Sequence, residues 1–350
     1  MTYATAPELS PSQPITGQPD PVLLWDTFHA YQRTAALDAA IDLDLFTGIG
    51  EGRQTPSQLA EFCKGSERGV RILCDYLTII GFLSKDDDGY QLTPTSAFFL
   101  NRHSPTYSGT ISQFLNLPEL VSAYGKLADV IRNGETAMVG KGTVDAEDPV
   151  WVVFAKSMTP LIGPTADFVA SLINGAGRAK ARVLDIAAGH GLFGISVARH
   201  NPEAEIVAVD WPAVLRVAQE NARKAGVQAR YELLAGDAFT IDFKGPYDAV
   251  LLTNLLHHFN HEACVSLLRK IHASLKPGCR LVTLEFVPND DRISPAIPAA
   301  FSLTMLAQTP EGDAYTFAEL SKMLKAAGFG ESKAVPVPNS PQTAIVTQRS

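Results

Sequence analysis

The stretch VLDIAAGHG, from Val183 to Gly191, decides how this chain is read. An apolar run ends in an aspartate and passes into a turn of small residues. A buried strand hands over to a helix beside a bound nucleotide in this way. It is not the dinucleotide pattern G-x-G-x-x-G, because Ala187 and Ala188 take up places in the turn. Around it, strand-like runs alternate with helical ones: RVLDIAA, AEIVAVD, ARYELLAGD, YDAVLLTN, CRLVTLEFV and TAIVTQ. That rhythm predicts an α/β fold, a doubly wound, Rossmann-like parallel sheet.

Ligands of such sheets bind at the carboxyl ends of the strands. The first strand is predicted to end at Asp185, and Ala187, Ala188, Gly189 and Gly191 keep the following turn small enough for a ligand to approach the backbone. The second ends at Asp210, where an acid can accept two hydrogen bonds from a ribose diol. The third leads into Gly236, Asp237, Ala238 and Phe239; there Asp237 sits beside a base position and Phe239 can pack on a ring. Each feature alone has a plainer reading. A small turn serves ordinary strand–helix packing, and Asp210 can cap a helix starting at Pro212. In order, at consecutive strand ends, they point to a nucleoside ligand. A pyrophosphate prefers a glycine-rich helix start with positive charge nearby. This turn contains Asp185, and no Lys or Arg stands between Leu184 and Ala198. A pyrophosphate is therefore poorly served by this turn, and NAD is the weaker reading.

Ahead of this region the pattern is helical. Residues 1–20, rich in Pro, Ser and Thr, read as a disordered tail without the apolar segment of a signal peptide. From residue 21 to 46, Leu24, Phe28, Tyr31, Ala35, Ala39, Leu43 and Phe46 recur at helical spacing. Thr55 with Pro56 starts a helix, a second runs from about Ser66 to Ile80, and FLSKDDDGYQLTPTS reads as two short strands about a turn. Together these predict a winged-helix module over 21–105. Residues 106–175 form a helical connector, and 176–350 the sheet domain.

A winged helix often binds DNA, but this one is acidic. Residues 1–150 hold ten Lys+Arg against nineteen Asp+Glu, about −9 of the chain's −8, and the remainder is near neutral. Its would-be recognition helix is apolar over much of its C-terminal half and is expected to pack against protein. No nucleic-acid or membrane partner is therefore expected, and no apolar run approaches spanning length. Cys63, Cys74, Cys264 and Cys279 lack C-x-x-C spacing and read as reduced thiols of a cytoplasmic protein.

The segments VLDIAAGHG, VAVDWP, LLAGDAF, YDAVLLTNLLHHFNHEAC and LKPGCRLVTLE together resemble the class I S-adenosylmethionine-dependent methyltransferases. With the N-terminal module, the chain from about residue 20 to 348 resembles the plant-type (caffeate/hydroxyindole-type) O-methyltransferase family, especially its bacterial members. The resemblance implies an S-adenosylmethionine cofactor, with the turn from Asp185 through Gly189 to Gly191 around its methionine part. It also implies Asp210 on the ribose, Trp211 beside the adenine, Asp237 on the adenine amino group and Phe239 over the ring. Where many plant members have a lysine, four residues before the catalytic histidine, this chain has Thr253. A homodimer exchanging N-terminal helices is likewise implied, though a helix buried within one chain would show the same apolar face.

Methyl transfer needs the acceptor aligned with the methyl group and sulfur. Removing the hydroxyl's proton helps, and histidine has the pKa range for that. By the resemblance, His257 in LHHF is the general base and Glu285 the acid that orients its ring. His258 stands where the family has aspartate. A further family acid falls at Ala314, with Asp313 or Glu311 as substitutes. His258 and His261 are expected to be solvated or capping residues. His257 and His261 have zinc-helix spacing, but no H-E-x-x-H pattern exists and no metal is expected. Phe154, Met158, Phe301, Met305 and Leu306, with Tyr124, are candidate walls of an acceptor pocket between the domains; core packing is the competing reading of each. The expected activity is O-methylation of a hydroxyl, phenolic by preference, on a small secondary metabolite. N- or C-methylation, or a non-catalytic cofactor-binding regulator, are the alternatives.

Overall fold

The computed structural model describes residues 19–174 and 180–350. The tail expected over 1–20 therefore lies, but for its last two residues, outside the described residues. The described residues divide into two compact units, one over 19–116 and one from 117 to the C-terminus.

In the first unit, Asp20 caps the helix Pro21–Asp42, its side chain accepting from the Val22 amide at 2.8 Å, with Pro21 in the first turn. The single helix expected to Phe46 instead breaks. Asp44 adopts a left-handed conformation (φ 56°), and a separate short helix, Leu45–Gly50, follows it. Thr55 and Gln58 form a capping box on the helix Pro56–Cys63, and Ser66 caps Glu67–Ile79. Strands β1 (Leu83–Asp86) and β2 (Gly89–Leu92) pair antiparallel. Asp86 closes their turn by accepting from the amides of Asp88 and Gly89. Leu45, Phe46, Leu59, Val70, Cys74, Leu77 and Tyr90 form the core. Leu24, Phe28 and Tyr31 do not join it; they are 56%, 66% and 69% exposed.

The second unit is built on seven strands: β3 (Arg182–Ile186), β4 (Glu205–Asp210), β5 (Tyr231–Ala235), β6 (Tyr247–Thr253), β7 (Leu275–Glu285), β8 (Lys333–Pro336) and β9 (Thr343–Gln348). Their order is β5-β4-β3-β6-β7-β9-β8. The first five are mutually parallel, as the helical crossovers between them require. The wholly parallel expectation fails at the far edge. The short connection from β8 to β9 leaves no room for a crossover, so β9 runs antiparallel to both β8 and β7. β8 itself was not anticipated. Only four residues long and half-exposed, it lacks the apolar run that marks a central strand.

Side chains alternate between the two faces of the sheet. Val183, Ile206, Ala208 and Leu251 join a core with the helices Val150–Asn174, Leu192–His200 and Pro212–Lys224. Leu184, Ile186, Val207 and Leu252 join another with His261–Ser274 and Phe317–Ala326. Strand order reverses at β3, which has β4 on one side and β6 on the other. The crevice of such a sheet opens at the carboxyl ends of these strands.

Candidate active site

The turn after β3 is held in an unusual backbone course. Ala187, Gly189 and Gly191 all have positive φ (54°, 58° and 77°). At Gly191 a Cβ would lie 2.6 Å from the Tyr231 hydroxyl and 2.9 Å from the Ala218 Cβ, so only glycine fits. A Cβ on Gly189 would meet nothing closer than 3.9 Å, and the backbone there faces open space. Ala187 accepts the left-handed conformation at a cost of about 1–2 kcal/mol, which the surrounding packing must supply.

Two carboxylates flank this turn. Asp185 is fully buried, and its Oδ2 accepts from the Gly194 amide at 3.0 Å. Its Oδ1 is buried with no hydrogen-bond partner. Burial pushes the Asp185 carboxyl up to about 7, against the Gly194 bond and with help from the Asp210 charge. Asp210 accepts from the amides of Gly189 (2.8 Å) and Trp211 (2.7 Å), and burial raises it to about 6. Asp210 does not cap the following helix. Trp211 is the N-cap residue, and the Asp210 carboxylate stays over the turn. A buried oxygen without a partner costs about 1–3 kcal/mol, so this corner is built for a hydrogen-bond donor, best a cation. His190 is buried too. Its Nδ1 accepts from the Leu192 amide at 3.1 Å, and burial pushes the ring down to about 4, leaving it neutral.

Past β5, Gly236 (φ 152°) donates its amide to the Asp210 carbonyl and ties the two strand ends together. Asp237 accepts from the Phe239 amide at 2.9 Å, and Lys270 donates to the Ala238 carbonyl at 2.9 Å. Phe239 packs edge-on against Phe259, ring centres 4.8 Å apart. The strand-end residues singled out in the sequence thus lie at the carboxyl ends of three neighbouring parallel strands.

The histidines follow β6 in a single 3₁₀ turn, Leu256–His258. Asn254 enters it with positive φ, its side chain bonded to Gln342. Glu285, at the carboxyl end of β7, organises the turn. Its Oε1 accepts from the amides of Leu255 (3.2 Å) and Leu256 (2.9 Å), and its Oε2 accepts from Nδ1 of His257. Both side chains are buried. An acceptor at Nδ1 places the ring hydrogen there and leaves Nε2 as the basic nitrogen.

The neighbouring groups correct several expectations. His258 is not solvated; it is 8% exposed, with its ring 4.3 Å from that of His257. Burial, then the proximity of His257, holds it well below the ordinary imidazole range. His261 is half-exposed and lies 3.9 Å from Glu319, while Asn260 provides the cap of its helix. His257 and His261 thus sit on different elements, and among the described residues no three His, Cys, Asp or Glu side chains gather into a metal-binding group. Ala314 is fully buried, and neither substitute reaches the His257 ring. Glu311 accepts from the Asn260 side chain at 2.7 Å, and Asp313 from Arg292 at 3.1 Å. The Asp313 contribution to His257 is through the backbone, its amide donating to the His257 carbonyl at 3.0 Å.

Aromatic rings flank the imidazole pair. Phe301 packs edge-on against His257 (4.9 Å) and stacks on Phe286 (4.2 Å). Trp151 packs edge-on against both His258 (5.2 Å) and Phe154 (5.6 Å). Phe286 and Trp151 were not singled out in the sequence, although Phe286 directly follows Glu285. Met158 and Leu306 are half-buried, whereas Met305 is 2% exposed and belongs to the interior. Tyr124 donates to Thr304 at 3.2 Å.

Comparison with known proteins places this site in context. Residues 126–330 match the O-methyltransferase domain, and residues 25–102 match the O-methyltransferase dimerisation domain. The tetracenomycin polyketide synthesis 8-O-methyl transferase of Streptomyces glaucescens is 26% identical, over 91% of this chain and 94% of the relative. The crystal structure of a Nostoc punctiforme protein assigned as an O-methyltransferase is 48% identical. It covers 95% of this chain and 100% of its own, with a TM-score of 0.92. Human N-acetylserotonin methyltransferase, crystallised in complex with S-adenosylmethionine, shares the fold at 21% identity. Its TM-score is 0.83, with 96% of this chain and 99% of its own covered.

Proposed function

We propose that this chain, which belongs to the O-methyltransferase family, transfers a methyl group from S-adenosylmethionine to a hydroxyl on a small, flat, aromatic acceptor, with His257 as the general base. One observation carries the reading: the buried His257–Glu285 pair, with Glu285 also bonded to two amides of the histidine's own turn. A buried acid fixed at three points is suited to hold an imidazole in a set orientation and tautomer.

The crevice suits the cofactor. The unpartnered Oδ1 of Asp185 and the open backbone at Gly189 fit an amino-acid moiety with a cationic amine. Asp210 has further lone pairs for a ribose diol, and Trp211, Asp237 and Phe239 border the place of the base. The cofactor supplies a methyl group already activated by its sulfonium. What remains for the protein is alignment and proton removal. Nε2 of His257 takes the hydroxyl proton, and Glu285 stabilises the imidazolium that forms; such base catalysis is worth about 10²–10⁴-fold. Phe286, Phe301, Trp151 and Phe154 offer ring faces and edges to a flat acceptor. The apolar face of Pro21–Asp42, exposed in the single chain, is covered by a second copy in a homodimer.

Calorimetry tests the cofactor. S-adenosylhomocysteine should bind, and Asp210→Ala should weaken it by about 1–3 kcal/mol, the cost of unmade hydrogen bonds to the diol. Binding of NAD without binding of S-adenosylhomocysteine would defeat the proposal. Labelled S-adenosylmethionine assayed against phenols, amines and carbon acids then tests the acceptor atom.

A further inference from the structure

Glu285 holds the imidazole of His257 and the amides that enter its turn, but not the carbonyl side of that turn. Residues 309–315 cover that side. The Asp313 amide donates to the His257 carbonyl at 3.0 Å, and the Tyr315 hydroxyl donates to the Phe259 carbonyl at 2.5 Å. Both ends of the segment are fastened. Thr309 Oγ1 accepts from the Gly312 amide at 2.9 Å and donates to the Met305 carbonyl at 2.7 Å. That carbonyl belongs to the helix Ala296–Gln308, whose Phe301 packs on the His257 ring. Arg292 donates to Asp313 at 3.1 Å and to Glu319 at 2.5 Å.

Gly312 makes this close approach possible. Its φ lies outside the left-handed region, so no backbone conformation calls for glycine there. Space does. A Cβ would lie 2.3 Å from the His257 carbonyl oxygen, 2.5 Å from Thr309 Oγ1 and 3.1 Å from the His258 carbonyl carbon. We propose that Gly312 is a positioning residue for methyl transfer: its bare backbone lets the Asp313 amide hold the His257 carbonyl, and this grip, together with Glu285 on the ring, sets where Nε2 points. The inference rests on the reading of His257 as the general base. A bond from Glu285 to Nδ1 fixes one point of the ring and not its direction. With Nδ1 held, a shift of the His257 backbone turns the ring about that point and swings Nε2 away from the hydroxyl. Misplacement by about 1 Å costs a reaction about 10²-fold. A methyl group on Gly312 must push the carbonyl by about that much, from 2.3 Å to the 3.4 Å of ordinary contact.

The test is Gly312→Ala in the full chain, assayed by transfer from labelled S-adenosylmethionine to two phenols, one ordinary and one that ionises near neutral pH. On the ordinary phenol kcat should fall about 10²-fold. On the acidic phenol, which needs no base, it should fall less than about fivefold. KM for both phenols and affinity for S-adenosylhomocysteine should hold. The ratio of the two losses is the readout, because a general loosening slows both phenols together. Equal losses, or a loss under about threefold on the ordinary phenol, overturn the inference. If Gly312→Ala does not fold, Arg292→Met decides. Arg292 is exposed, and its replacement frees the segment without adding atoms beside His257. A loss of about threefold confined to the ordinary phenol is expected, in keeping with the worth of exposed ion pairs; an equal effect on the two phenols, or none, overturns the inference. If Glu285→Gln spares the acidic phenol and the variants of this segment do not, only the role of Gly312 falls. A parent enzyme that binds S-adenosylhomocysteine yet methylates no phenol of a panel overturns the O-methylation reading, and this inference with it.

Discussion

Glu285→Gln isolates the orienting acid with the least disturbance. Glu285 accepts two amide hydrogens through Oε1 and the His257 Nδ1 hydrogen through Oε2. A glutamine can turn its carbonyl toward the Leu255 and Leu256 amides and keep both bonds. Its NH2 group then faces Nδ1 of His257 as a donor. Nδ1 must lose its hydrogen, so the hydrogen moves to Nε2, the atom that should accept the acceptor's proton. The ring stays in place in the wrong tautomer. In a serine-protease triad the equivalent change, aspartate to asparagine, lowers turnover by about 10⁴-fold. Here the hydroxyl is more acidic than a serine, so the expected loss in kcat is about 10²–10⁴-fold, the span of general-base catalysis. Affinity for S-adenosylhomocysteine should not change, because no contact of the Asp185 or Asp210 carboxylates is altered. The assay is steady-state transfer from labelled S-adenosylmethionine to two phenols, one ordinary and one that ionises near neutral pH. The loss should shrink for the acidic phenol, which needs no base, and shrink further as pH rises. A Glu285→Gln enzyme within about threefold of the parent on the ordinary phenol would refute the reasoning and leave alignment alone as the source of rate. Equal losses on the two phenols would refute the tautomer argument in particular.

Other consequences can be checked without substrate. Gly191→Ala forces a side chain into φ 77° and against Tyr231 and Ala218, so it should destabilise the protein by about 1–3 kcal/mol; an unchanged thermal midpoint would contradict the packing of this turn. Asp185 and Asp210 are raised from the ordinary 3.8 to about 7 and about 6, so the free protein holds protons there that a cationic ligand displaces. Affinity for S-adenosylhomocysteine should therefore rise as pH increases from 5.5 to 7.5, with proton release seen in buffers of different ionisation heat; a flat profile would oppose this. In the ligand-free protein the sign reverses. The folded state holds the extra protons, so stability from these acids is full below about 4 and is lost as pH rises to about 7. Sedimentation should give about twice 37.6 kDa for the parent chain and a monomer or aggregate for Leu24→Glu/Phe28→Glu; a well-behaved parent monomer at micromolar concentration would remove the dimer.

Periodicity and punctuation are local properties, and they made much of this protein legible before any coordinates. The alternation of apolar strands with helical runs requires parallel crossovers, and the acids closing β3 and β4 must then lie on one edge of the sheet. Thr55 announced its helix because a cap satisfies amides within three residues of itself. The histidine and Glu285 were found by resemblance to a family, not by spacing; that they touch across 28 positions is a matter of β6 lying beside β7. Tertiary structure alone decided what depends on neighbours distant in sequence. The polar stretch HHFNHE reads as a solvated turn, yet Trp151, more than a hundred residues earlier, packs against His258 in the buried turn. Asp313 and Glu311 stood one and three residues from the expected acid, and their side chains went instead to Arg292 and Asn260. The antiparallel edge of the sheet came from a short connection whose partner strand had no apolar run to announce it. Spacing along a chain sets which face a side chain occupies, and burial, charge state and hydrogen-bond partner are set only when another element covers that face.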